Sequence, residues 1–107
     1  MSKQGDIIMI DFNPKVGHEQ AGKRPALVVS NDTFNNHCSV VLVCPITSTV
    51  NGFPLHVVLD SRTKTQGSIL CEQIRSLDIN KCGYRAIEQI PSDLMNKVIE
   101  IIYAEIQ

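Results

Sequence analysis

The run Val40-Val41-Leu42-Val43-Cys44-Pro45-Ile46 constrains this chain more than any other segment. It is apolar on both faces of an extended backbone, so as a strand it must lie buried at the centre of a sheet. It ends in Thr47-Ser48-Thr49, and Asn51-Gly52 marks a turn. Other strand-like runs surround it. Residues 6–12 alternate, with Ile8, Ile10 and Phe12 on one face and Ile7 and Met9 on the other. Residues 25–30 form a second strand, opened by Pro25, where a missing donor is tolerated. Residues 55–59, 67–74 and 86–90 complete five or six short strands. Between the second strand and the central one, the Asn/Asp-rich segment 31–36 predicts a turn or short helix with local side-chain bonds.

Pro91 leads into the one clear helix, with Ser92 as its N-cap and Asp93 in its first turn. Leu94, Met95, Val98, Ile99, Ile101, Ile102 and Ile106 recur at helical spacing as one broad apolar stripe. Short strands followed by one such helix predict a mostly β chain with α: a small, partly closed antiparallel barrel under a helical cover.

At 107 residues the expectation is a single domain over 1–107, and 43% hydrophobic residues supply a core. The same apolar content on so small a body permits a dimer. No run approaches the roughly 20 residues of a membrane helix, and the N-terminus lacks a signal-peptide core, which predicts a cytoplasmic protein. Net charge is -1, so any nucleic-acid contact must rest on a local cluster. Cys38, Cys44, Cys71 and Cys82 have no CxxC spacing and read as reduced structural thiols. No metal and no other cofactor is expected.

The chemistry-bearing stretch is Gly17-His18-Glu19-Gln20-Ala21-Gly22-Lys23-Arg24-Pro25, a loop between two strands. It joins a histidine that titrates near neutrality, a carboxylate and two cations. Together with Thr47, Ser48, Glu72, Gln73 and Arg75, all at strand ends, it suggests phosphate chemistry. Cleavage of RNA by its own 2′-hydroxyl needs a base, an acid and donors to phosphorus oxygens, and no metal. Arg24 would hold the phosphate, and the Thr47 and Ser48 hydroxyls would donate to it. His18 has the best intrinsic pKa for proton transfer, with Glu19 or Glu72 as base or orienting group. Gln73 can read a base edge, and Phe34 or Tyr84 can stack one. Glu72, in an otherwise apolar strand, is expected to have its pKa raised by burial. His56, alternating with apolar residues, reads as structural. The plain alternatives are a solvated loop, a strand-end charge at Arg24 and turn-satisfying hydroxyls at 47 and 48.

Gly5-Asp6-Ile7, residues 17–30 from Gly17 to Ser30, Pro45-Ile46-Thr47-Ser48 and Cys71-Glu72-Gln73-Ile74-Arg75-Ser76-Leu77-Asp78 resemble, in that order, the MazF/PemK family of toxin endoribonucleases. The resemblance implies an SH3-like barrel of the CcdB/Kid type, a homodimer, and metal-independent, sequence-specific cleavage of single-stranded mRNA. It implies 2′,3′-cyclic phosphate and 5′-hydroxyl ends, and a cognate MazE-like antitoxin whose C-terminal segment blocks the RNA groove. The family's catalytic Arg and Thr fall on Arg24 and Thr47. His18 and Glu72 are further catalytic candidates, and Glu19, Gln20, Lys23, Ser48, Gln73 and Arg75 are candidates for RNA binding. Some members carry an Arg two residues before an Asp where this chain has Leu70 and Glu72, so that pair's acid/base role does not transfer. Two other readings are a non-catalytic barrel toxin that poisons a protein such as gyrase, and a plain RNA-binding barrel.

Overall fold

The computed structural model describes residues 2–11 and 23–107. Among them run β1 (Asp6–Asp11), β2 (Lys23–Val28), α1 (Asp32–His37), β3 (Val41–Thr47), β4 (His56–Val58), β5 (Ser68–Leu70), β6 (Arg75–Leu77), α2 (Ile79–Cys82), β7 (Tyr84–Gln89) and α3 (Ser92–Ile106). The strands pair throughout as antiparallel neighbours in the order β4-β5-β3-β2-β1-β7. The path is open, since β4 and β7 end it without pairing to each other.

β3 is the centre, as its two-faced apolarity requires. One edge pairs with β2, Ala26 opposite Pro45. Its other edge is divided between two partners: Val41, Leu42 and Val43 pair with β6, and Ile46 and Thr47 pair with β5. The interruption between Val43 and Ile46 contains Pro45, which has no N–H to give.

Alternation splits the core in two. Ile7, Leu27, Cys44, Ile46 and Ile69 lie on the face covered by Leu94, Met95 and Val98 of α3. Ile8, Ile10, Ala26, Val28, Val41 and Val43 lie on the other, closed by Leu77 and Ile79. Val98 is fully buried; burying such a side chain is worth about 1.5–3 kcal/mol. The stripe of α3 outruns the sheet, so Ile99, Ile101 and Ile102 are only partly buried and Ile106 stays 77% exposed.

Four expectations change. β2 begins at Lys23 rather than Pro25, because β1 continues to pair through Ile10–Arg24 and Asp11–Lys23. The strand expected over 67–74 stops at Leu70, and Cys71–Gln73 form a 3₁₀ turn. The turn is forced: β5 and β6 share one edge of β3, and the chain must leave the first pairing to enter the second. β6 brings the strands to seven among the described residues, where five or six are read from sequence; three residues with only Leu77 buried give no alternation to read. At α3 the cap is Pro91, whose carbonyl accepts from the Leu94 and Met95 amides at 3.1 Å each, and Ser92 is already helical. The expected local bonds before β3 are present: Asn31 caps α1 by accepting from the Phe34 amide at 2.8 Å. Among the described residues no helix is long and apolar enough to cross a membrane.

Candidate functional site

The division of β3's edge leaves a cleft of about 310 Å³, lined by Arg24, Pro45, Ile46, Thr47, Leu70, Gln73 and Arg75. Strand register places its floor. Arg24 is held opposite Ile10 on β2, and Thr47 opposite Ser68 at the end of β3. The 3₁₀ turn delivers Gln73, and the start of β6 delivers Arg75.

Thr47 Oγ1 accepts from the Thr49 amide at 3.2 Å. This is the turn-satisfying bond foreseen from the sequence, yet a hydroxyl that accepts still has its hydrogen to donate. Among the described residues no carboxylate pairs with the Arg24 guanidinium, so its donor fork is available to an anion. With two arginines, a hydroxyl and an amide on one rim, the cleft is suited to a phosphate and an adjoining polar group.

Other candidates lie elsewhere. Lys23 neighbours Arg24 on a strand and therefore faces the opposite way; it lines a separate hollow with Met9, Tyr84 and Arg85. Ser48 lines a hollow with Val58, Asp60 and Gly67. Phe34 sits in the groove along α3, so neither Phe34 nor Tyr84 is placed to stack a ligand in the cleft. A further cation, Arg62, is not a candidate for the cleft: it is committed to a clamp, donating to Asp60 at 2.8 Å and to both Asp93 carboxylate oxygens at 2.9 Å. His18, Glu19 and Gln20 lie outside the described residues.

Glu72 needs the largest correction. It is on the 3₁₀ turn and not in a strand, and it does not line the cleft. Its Oε2 is 3.1 Å from His56 Nε2, with the side chains 28% and 8% exposed respectively. Burial does push its pKa upward, but hydrogen bonds from His56, its own backbone and Gln73 outweigh that and hold the carboxyl below its ordinary value. It is a stabilised anion, which makes it a weaker base than expected. His56, read as structural, is the residue whose link to the site sequence reasoning missed. The spacing of 16 residues gives no local signal.

Burial likewise raises the Cys71 thiol to about 12, and that of Cys44 further. Both sit in the core as the small hydrophobes expected.

Residues 3–104 match the family model of the PemK-like, MazF-like toxin of type II toxin–antitoxin systems. Endoribonuclease PemK of Escherichia coli is 35% identical over 103 residues, covering 91% of this chain and 76% of the relative. Endoribonuclease EndoA of Bacillus subtilis is 34% identical over 105 residues, covering 94% and 90%. The fold superposes on MazF in a MazE–MazF complex from Deinococcus radiodurans with a TM-score of 0.83, at 26% identity, over 97% of this chain and 93% of that one. With this family match over most of its length and these relatives, the chain belongs to the PemK-like, MazF-like family of toxins of type II toxin–antitoxin systems.

Proposed function

We propose that this chain is a toxin endoribonuclease that cuts single-stranded mRNA at a preferred sequence, without a metal ion, and so inhibits translation and growth. The observation that carries this reading is the convergence of Arg24, Thr47, Gln73 and Arg75 on one cleft, in a chain whose curated relatives are endoribonucleases.

The reaction balances within the RNA. The 2′-oxygen bonds to phosphorus, the P–O5′ bond breaks, and one proton passes overall from the 2′-hydroxyl to the leaving 5′-oxygen. The products carry a 2′,3′-cyclic phosphate and a 5′-hydroxyl. Arg24 holds the scissile phosphate and offsets the charge that grows on its oxygens, and the Thr47 hydroxyl donates to one of them. Arg75 binds a neighbouring phosphate, and the Gln73 amide offers one donor and one acceptor group to a base. A guanidinium is in general a poor proton shuttle, so Arg24 is given no proton transfer. His18 and Glu19 are assigned the proton transfers, with Gln20 at the substrate.

The protein works in the cytoplasm as a single-domain homodimer. Its antitoxin is a MazE-like chain whose C-terminal segment covers the cleft; a MazE–MazF complex is known from Deinococcus radiodurans.

The test is incubation of the protein with long single-stranded RNA in excess EDTA, beside Arg24→Ala, with cuts mapped by primer extension. Discrete cuts with cyclic-phosphate ends, lost in the variant, are expected. RNA left intact across varied sequences would overturn the proposal and favour a toxin that acts on a protein.

A further inference from the structure

His56 does not line the cleft, yet it is bonded to the turn that does. It opens β4 opposite Leu70, the residue at which β5 gives way to the 3₁₀ turn. The adjoining Leu55 carbonyl accepts from the Cys71 amide at 3.3 Å. The imidazole is held by Phe53, whose ring meets it edge-on at 5.0 Å between centroids. A carboxylate only accepts, so it is His56 Nε2 that carries the hydrogen and donates to Glu72. Glu72 is followed directly by Gln73 on the 3₁₀ turn, so the bond from His56 ties down the turn that carries Gln73, and Gln73 lines the cleft.

The ring's other nitrogen makes the case sharper. His56 Nδ1 is buried with no hydrogen-bond partner among the described residues. An apolar residue would fill this place without orphaning a polar atom. What the imidazole adds over an apolar side chain is the Nε2 bond to Glu72.

We propose that His56 is a positioning residue for substrate recognition: through Glu72 it anchors the 3₁₀ turn that presents Gln73 at the rim of the cleft. The proposal rests on the RNA-cleaving reading above. Gln73 meets the RNA, and His56 acts on it at one remove. A turn anchored in one place presents its rim side chain from a fixed position, which a loose turn does not.

The experiment compares His56→Leu, His56→Gln, Gln73→Ala and the double variant His56→Leu/Gln73→Ala. Steady-state cleavage of a short RNA is read beside binding of the same RNA with a 2′-deoxy residue at the cut site. His56→Leu should raise KM and the Kd of the uncleavable RNA about tenfold, the loss of one hydrogen bond to a charged group, with kcat within about twofold. His56→Gln, which still offers an amide donor toward Glu72, should recover most of that loss. The double variant should be no worse than Gln73→Ala alone, because the two residues act in series.

Additive losses in the double variant would overturn the proposal, as would a His56→Leu enzyme with wild-type KM or one whose kcat alone falls. If the wild-type chain leaves RNA intact, it is the functional reading that fails. The positioning is then decided by NMR of the Gln73 side-chain amide. Faster solvent exchange of those protons in His56→Leu than in His56→Gln supports it, and equal exchange overturns it.

Discussion

Gly67 lies so close to Thr47 that a Cβ at position 67 would stand 1.9 Å from the Thr47 carbonyl oxygen. Its φ of +122° is also one that side chains avoid. Gly67→Ala must therefore displace the end of β3 that carries the Thr47 hydroxyl. The expected cost is about 1–3 kcal/mol of stability, with a loss of RNA cleavage beyond what the fraction unfolded explains. Gly52→Ala is the control: its φ is also positive, but a Cβ there would meet nothing within 4 Å. Thermal melts should rank Gly67→Ala as the more damaging, and the reverse order would show that the close approach is not limiting.

Arg24 and Lys23 are adjacent cations on opposite faces of β2. Arg24→Ala should lower kcat/KM by roughly 10²–10³, the scale for removing a donor to a developing oxyanion. Lys23→Ala should stay within about threefold, and its effect should shrink with added salt. Equal losses at the two positions would place the RNA across both faces of the strand.

Beside Asp60 and Asp93, which Arg62 holds below the ordinary aspartate value, three glutamates make stability depend on pH through shifts of two signs. Burial opposes ionisation of Glu72 and Glu88, but His56, Gln73 and the turn backbone at Glu72, and the Thr65 and Lys64 groups at Glu88, bring both below the ordinary 4.5. Below that value the unfolded chain binds more protons than the folded one. Their contribution is therefore complete above about 4.5 and fades as pH falls through the folded values. Glu105 is the opposite case, raised first by burial and then by the charge of Glu72, and its buried Oε2 has no partner among the described residues. Its ionised form weakens the fold at neutral pH. Glu105→Gln should gain ~0.5 kcal/mol at pH 7, and the gain should vanish once Glu105 is protonated in both states. A gain unchanged between pH 7 and pH 4 would locate its origin in packing.

Thiol reactivity should separate the cysteines. Cys38 is exposed and Cys82 intermediate, whereas Cys44 and Cys71 are buried with thiols pushed far from ionisation at neutral pH. A maleimide followed by mass spectrometry should label Cys38 first and Cys82 next. Cys44 and Cys71 should react only in denaturant. Early labelling of Cys71 would mean that the β5–turn junction opens in the native state.

What the sequence disclosed follows from how local each signal is. The two-faced run at 40–46, the alternation of β1 and the stripe of α3 are short-range patterns, and each element formed where its pattern lies. Arg24 and Thr47 were legible because both end apolar runs. The partner of Glu72 was not, since the bond to His56 spans 16 residues and depends on β4 and β5 pairing. The 3₁₀ turn was hidden for a related reason: Gly67-Ser68-Ile69-Leu70-Cys71 continues to read as a strand, and the break is imposed by competition for β3. Lys23 reads as part of the loop that Pro25 closes, and that reading conceals the period of two that turns it away from Arg24.

The shared edge of β3 separates two kinds of evolvability. Arg24 and Thr47 are fixed by hydrogen-bond register on strands inside the sheet, where a one-residue slip would turn each side chain through to the other face. Gln73 belongs to chain that merely bridges from one β3 partner to the next, and a bridge tolerates changes of length and sequence that a ladder does not. Substitutions at the exposed Gln73 and Ile74 can therefore reshape the rim of the cleft while the two groups at its floor keep their spacing.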